Sequence, residues 1–285
     1  MRLNFFLVMF LGLVFLGKTS FAESEEKASI AIEKIKAQKP DERGNIPTFN
    51  KYGFAQNEDF FPDPYTIDFV LYAIEKDGDR DRKSLEIGAG FANLSLQVIK
   101  GGGKMVINDL DPGHLDVAQS RIPKGMRSLA EFVPGEFPDD LHLADQSLDA
   151  VFCRVLQFLS GKDIERGFEK IKRWLKPKGR IYILAPCIHM PGVNPKAFET
   201  FMRKRRCGEM WPGMNTSTKD VYASDFAYNL PDKIHVFDMD TIINALIRTG
   251  FNIQKVSYFD KYNRRNTRAN PGRTTIGVIA SPGNF

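Results

Sequence analysis

The sequence predicts an α/β fold, a mostly parallel sheet with helices packed on both faces. Two observations carry this. Between Lys83 and Pro186, short apolar runs alternate with helix-like segments, the mark of strand–helix–strand units joined by crossovers. The composition is also that of a globular chain with a sizeable core, 42% apolar and 26% charged over 285 residues. No internal repeat is visible.

The elements follow in order. "YTIDFVLYAIEK" sets Ile67, Val70, Leu71 and Ile74 at helical spacing, and we expect them to form its buried face. "KSLEI" from Lys83 is a strand, "ANLSLQVIK" a helix, and "GGGK" breaks it. "MVIND" is the second strand. "DPGHLDVAQSRI" is a helix with Asp111 as its N-cap and Pro112 at its first position. "SLAEFV" and "LDAVFC" are the third and fourth strands. "KDIERGFEKIKRWL" is amphipathic, with Ile164, Phe168, Ile171, Trp174 and Leu175 on one side. "KPKG" stops it, and "RIYILAP" is the fifth strand. Residues 187–237, rich in Pro, Gly, Met and aromatics, read as an irregular insertion over the open end of the sheet. "DMDTIINALIRTG" is a helix, "FNIQKVSYF" a strand and "RTTIGVIAS" the last strand.

The N-terminus reads separately. Arg2, the apolar run "FFLVMFLGLVFLG" and the small residue ending "SFA" have the layout of a secretory signal peptide over residues 1–22, cleaved after Ala22. The run is short for a spanning helix, which needs about 20 apolar residues. Lys18 just after it leaves an uncleaved membrane anchor as the alternative. Residues 23–82 read as a helical and irregular segment, with Ile30, Ile32 and Ile35 on a short helix, and residues 83–285 as the main domain.

Charge and cysteines narrow the function classes. Without Arg2 and Lys18, 38 basic residues face 35 acidic ones, too even a balance to argue for nucleic acid. Cys153, Cys187 and Cys207 form no C-x-x-C pair, so no disulfide framework or zinc ribbon is expected. His114, His142, His189 and His235 are scattered without metal-ligand spacing, and no metal site is expected.

The stretch "SLEIGAGFANLS" carries the chemistry. A strand that ends in Gly-x-Gly and feeds a helix lets the backbone turn tightly and approach a ligand, beside the unpaired N–H groups of the helix start. Gly88 and Gly90 supply that turn, with Ala92 where a third small residue would sit. Asp109 ends the second strand, placed to accept hydrogen bonds from both hydroxyls of a ribose. Loop and acid together point to an adenosine-containing cofactor, NAD or S-adenosyl-L-methionine (SAM). A pyrophosphate favours an uncluttered helix N-terminus, whereas a cationic amine favours a carboxylate. Glu86, at the carboxyl end of the first strand, suits the amine.

At these residues the chain resembles a known family. "LEIGAGFANLS", "INDLDPGHLDVAQSR", "LADQSLDAVFCRVLQFL" and "IKRWLKPKGRIYILAP" are similar to successive motifs of the class I SAM-dependent methyltransferases, over residues 83–186. "TIINALIRTGFNIQKV" fits the family's penultimate helix and strand. The resemblance implies a Rossmann-like, seven-stranded, mostly parallel sheet whose last strand, "RTTIGVIAS", is antiparallel. It implies that Glu86 meets the methionine amine, directly or through water. Gly88, Ala89 and Gly90 would line methionine and ribose, Asp109 would hold the ribose, and Leu110 would pack on adenine. Glu136 falls where the family often has an acid near the adenine amino group, more often Asp. Arg154 lies where the family places residues facing the methyl group.

Class I methyltransferases rely largely on proximity and orientation, and no catalytic residue stands out. "CRVLQFL" stands where base-methylating enzymes carry an "NPPY"-type loop, which argues against a nucleic-acid base as acceptor. The expected acceptor is a small molecule, lipid or protein. Two basic groups, Arg203–Arg206 and Arg264, Arg265, Arg268 and Arg273, read either as solvated faces or as contacts for a phosphate, carboxylate or anionic lipid. An exported protein that binds SAM or a nucleotide without transferring a methyl group, and an NAD-binding oxidoreductase, are the alternatives.

Overall fold

The computed structural model describes residues 46–55, 63–78, 80–222, 227–259 and 274–283. The signal-like segment, the Ile30–Ile35 stripe and the Arg264–Arg273 cluster lie outside these described residues.

Seven strands form one sheet: β1 (Lys83–Ile87), β2 (Lys104–Asp109), β3 (Ala130–Pro134), β4 (Leu148–Cys153), β5 (Leu175–Pro186), β6 (Phe251–Phe259) and β7 (Thr275–Pro282). Their spatial order is β6-β7-β5-β4-β1-β2-β3. β1 to β5 pair in parallel, and β7 runs antiparallel to both β5 and β6. The Rossmann-like sheet expected from the sequence is the one observed, with the last strand reversed. The order changes direction between β1 and β4, where open α/β sheets bind ligands beyond the carboxyl ends of their strands.

Helices cover both faces: α1 (Pro64–Ile74), α2 (Asn93–Lys100), α3 (Pro112–Arg121), α4 (Gly161–Trp174), α5 (Pro195–Arg206) and α6 (Met239–Arg248). On one face, Ile164, Phe168, Ile171 and Trp174 of α4 and Ile242, Ala245 and Leu246 of α6 pack against Leu85, Val151 and Ile181. On the other, Phe69, Leu94, Ile99 and Leu115 from α1, α2 and α3 pack against Ile107, Phe152 and Tyr182. The α4 stripe is the one its spacing predicts, and Ser160 caps that helix by accepting from Asp163 N–H. Asp111 caps α3 through Gly113 N–H, with Pro112 at the first position.

Helix α1 turns a different face inward from the one expected. Tyr65, Phe69 and Ala73 are buried, whereas Ile67 is 40% and Leu71 59% exposed. The aromatic set wins because it has partners. Phe69 packs edge-on to Phe152 and Tyr182, with centroids 5.1 and 5.3 Å away. Tyr65 occupies the space left by the missing side chain of Gly277 in β7, where a Cβ would come within 2.1 Å of its ring.

The boundaries shift in two places. β5 begins at Leu175, so "KPKG" belongs to the strand, with a register irregularity against Leu148–Ala150. Within 187–237, Pro195–Arg206 is a helix rather than irregular chain. Asn194 caps it through Lys196 N–H, and Phe198, Phe201 and Met202 face a small core with Ile188, Val221 and Val236. Arg205, in the basic run at the end of α5, binds Asp238 and Asp240 at the start of α6. That run therefore serves partly to fasten the insertion.

Candidate active site

A cavity of about 340 Å³ opens at the carboxyl ends of the strands, on the crossover between β1 and β4, within the size range of small-molecule sites. Gly88, Ala89, Gly90, Asp109, Leu110 and Glu136, expected at a cofactor site, line it together with Arg154, expected to face the methyl group. The fold brings them together from four strand ends, those of β1, β2, β3 and β4.

The glycine loop has the backbone its sequence suggests. Gly88 and Gly90 have φ of +69° and +56°, in the left-handed region that only glycine enters freely. A Cβ on Gly88 would come 2.2 Å from Val155 Cγ1, so this glycine is needed for packing. A Cβ on Gly90 would meet no protein atom within 4 Å. That open space adjoins a cavity Gly90 lines, which leaves backbone clear for a ligand. Ala92, in place of a third glycine, also sits at φ 57°.

Asp109 is 6% exposed and already holds three donors. Oδ2 accepts Gly90 N–H at 2.7 Å, and Oδ1 accepts Asp111 N–H at 2.9 Å. His114 Nδ1 lies 2.9 Å from Oδ1. Its Nε2 accepts Phe49 N–H at 3.2 Å, so the ring proton is on Nδ1 and points at Asp109. A carboxylate has about four acceptor positions, which leaves capacity for a ribose hydroxyl. Beyond Asp109, Leu110 is 45% exposed at the cavity rim and offers the apolar surface an adenine ring needs. Glu136 is exposed at the same rim.

Glu86 sits elsewhere than expected. It is 0% exposed and does not line the cavity. Its Oε2 accepts Ser95 N–H and Oγ–H at 3.1 and 2.6 Å, and its Oε1 accepts Arg154 Nη2–H at 2.9 Å. Arg154 stands between Glu86 and the ligand space, so in this structure Glu86 reaches that space only across the guanidinium.

Three contributions escaped the sequence reading. The hairpin Ile46–Pro47/Phe54–Ala55 brings Thr48, Asn50, Tyr52 and Gly53 to the cavity. It is tied to the insertion by Gly53 N–H donating to Asn229 C=O at 2.8 Å, and to the glycine loop and α3 by Phe49 against Phe91 and His114. His114, one of the four scattered histidines, is 1% exposed. Its only sequence signal is its place five residues after Asp109, one helical turn into α3. Gln157, after β4, lines the cavity with its buried Oε1 unpartnered among the described residues. Tyr52, Phe158, Leu159, Met190, Tyr222 and Leu230 make this end of the cavity largely apolar.

Cys153 and His235 have no place in the wall. Burial pushes the Cys153 thiol up to about 12, against the opposing effects of Val155 N–H and Arg154, so it is no nucleophile. His235 is packed face-on to Phe237 with centroids 4.2 Å apart.

Comparisons with known proteins identify the domain and its fold. The pattern of the family described as "Methyltransferase domain" matches residues 85–179. The demethylmenaquinone methyltransferase of Chlorobaculum parvum is 27% identical over 188 residues, 64% of this chain and 70% of that protein. Phosphoethanolamine N-methyltransferase 1 of Triticum aestivum is 26% identical over 117 residues, 39% of this chain. The chain spans only 24% of that relative's length. Crystal structures of SAM-dependent methyltransferases from Mesorhizobium loti and Methanosarcina mazei share the fold, with TM-scores of 0.55 and 0.53 at 18% identity. They cover 79% and 80% of this chain and 100% of their own. The chain carries a class I SAM-dependent methyltransferase domain, an enzyme domain with SAM as its cofactor. The choice between NAD and SAM that the glycine loop leaves open falls to SAM.

Proposed function

We propose that this methyltransferase domain moves the methyl group of SAM to a neutral, largely apolar small molecule that bears a hydroxyl or amine. When bound, SAM supplies an electrophilic methyl on its sulfonium. The chain's part is to bind and orient both partners and to exclude water, which suffices for much of the rate of such a transfer. Products would be the methylated acceptor, S-adenosylhomocysteine and the proton released by the acceptor.

The observation that carries this reading is the make-up of the cavity beyond the glycine loop. Tyr52, Phe158, Leu159, Met190, Tyr222 and Leu230 offer apolar and aromatic surface. Arg154 is the one lysine or arginine among the described lining residues, a single positive charge already shared with Glu86. A phosphorylated acceptor would find little there to neutralise it. The two named relatives are a demethylmenaquinone and a phosphoethanolamine methyltransferase; the cavity favours an acceptor more like the former. Gln157 lines the same wall, and its side-chain amide would pair with the acceptor's O–H or N–H.

A labelled-methyl transfer assay tests the reading with a panel of quinols, phenols, apolar amines and phosphoethanolamine. Transfer to quinols or phenols is expected. Transfer to phosphoethanolamine alone would overturn it.

Residues 1–22 would direct export, a reading supported by their sequence alone. N-terminal sequencing of protein from the host, with fractionation, checks it. A mature start at Glu23 outside the cytosol is expected. An intact Met1 in the membrane fraction would instead indicate an anchor, and one in the cytosol would refute export.

A further inference from the structure

Glu86 and Arg154 meet at the carboxyl ends of β1 and β4, where the strand order reverses. A lone carboxylate at 0% exposure would be costly to keep ionised. Arg154 neutralises it at 2.9 Å while Ser95 satisfies the other oxygen. The guanidinium is not consumed by this. It has five N–H donors in a planar fork, and the one bond found for it among the described residues is that to Glu86. Its side chain is 25% exposed and forms part of the cavity wall. The other ionised groups on that wall, Asp109 and Glu136, are acids, and both ring nitrogens of His114 are engaged. Among the described lining residues, Arg154 is therefore the group able to hold an anion.

The methionine end of SAM carries an ammonium and a carboxylate. Resting on the SAM reading above, we infer that Arg154 binds that carboxylate. Glu86 acts behind it as a positioning residue that holds the guanidinium with its free edge toward the ligand. The family resemblance gives Glu86 the ammonium and Arg154 the acceptor; the geometry reverses the emphasis, because the acid is shielded and the base is presented. The same free edge could take a carboxylate or phosphate on the acceptor, and the test separates the two sources.

Calorimetric titration of the native chain uses four ligands. They are S-adenosylhomocysteine, methylthioadenosine, and analogues of S-adenosylhomocysteine lacking only the carboxylate or only the amine. Loss of the carboxylate should weaken binding about 10- to 100-fold, and loss of the amine less. In Arg154→Lys, which keeps the charge but loses the fork, the carboxylate should be worth a smaller factor. In the double variant Glu86→Gln, Arg154→Gln, which strands no buried ion, removing the carboxylate should change nothing while methylthioadenosine binds as before. Equal binding of S-adenosylhomocysteine and its carboxylate-free analogue by the native chain would hand Arg154 to the acceptor and overturn the inference. A larger effect of the amine would also overturn it, by showing that Glu86 releases Arg154 to take the ammonium. If none of the four ligands binds, the cofactor reading fails and the inference with it. The native-chain comparison decides the matter even if the double variant does not fold.

Discussion

His114 joins the acid at the end of β2 to the N-terminal hairpin: Nδ1 lies 2.9 Å from Asp109 Oδ1, and Nε2 accepts Phe49 N–H. One imidazole thus orients the carboxylate expected to hold the ribose and fastens the hairpin turn that brings residues 48–53 to the cavity.

Loss of either member should show in cofactor binding. Asp109→Ala removes charge-assisted hydrogen bonds and should weaken S-adenosylhomocysteine by about 1–3 kcal/mol. His114→Gln leaves Asp109 in place but less well oriented, and should weaken the ligand by about 1 kcal/mol. It should also speed tryptic cleavage at Lys51 in the hairpin. Calorimetry and limited proteolysis measure the two effects. Unchanged proteolysis would mean that the hairpin is held without the imidazole.

The two loop glycines should fail in different ways. Gly88→Ala drives a methyl group into Val155 at 2.2 Å and strains a φ of +69°. It should lower stability by about 2–4 kcal/mol, read as a fall in Tm. Gly90→Ala meets no protein atom, so its stability cost should be nearer about 1 kcal/mol. Its larger effect should be on S-adenosylhomocysteine affinity, because the methyl group enters space the ligand would use.

His235 makes stability depend on pH. Burial lowers its pKa from 6.5 to about 4, opposed by its bond to Leu159 C=O and reinforced by Lys204. Above about pH 6.5 both folded and unfolded chains hold it neutral, and its contribution is whole. As pH falls from 6.5 toward 4 the unfolded chain takes up the proton first, and up to about 3 kcal/mol is lost. His235→Phe should flatten that part of the stability curve. Urea denaturation across the interval measures it; an unchanged slope in the variant would assign the dependence to other groups.

The acceptor end should be separable from the cofactor end. Gln157→Leu removes a polar side chain from the cavity wall and should cut kcat/KM for the methyl acceptor about 10-fold. Tyr52→Ala removes a ring set edge-on to Phe158 at 4.9 Å and should raise KM for the acceptor. In both variants S-adenosylhomocysteine should bind as in the native chain. Loss of its binding would place these residues on the cofactor side.

Much of the fold was legible because it rests on local rules. Capping residues such as Asp111 and Ser160, the stripe of α4, and the glycines after β1 follow from spacing and backbone preference. Helix α5 was missed: Asn194, Pro195 and the Phe198–Phe201–Met202 spacing signal it, but its Pro- and Gly-rich flanks masked it. The residues expected around the cofactor and methyl group were legible as a set to this extent: Gly88, Gly90, Asp109, Leu110, Glu136 and Arg154 converge on one cavity, whereas Glu86 does not line it.

By itself, then, the sequence determined the seven strands of the sheet and every helix named above except α5, and that the strand ends carry a glycine loop and an acid. Only tertiary structure decided which face of α1 is buried, because Tyr65 and Phe69 find a glycine gap and aromatic partners across the sheet that no periodicity encodes. Only tertiary structure gave Glu86 to Arg154, His114 to Asp109 and Gly53 to Asn229. Buried charges and backbone groups must be paired, yet partners 68 residues apart, like Glu86 and Arg154, are chosen by how the elements pack and not by their spacing along the chain.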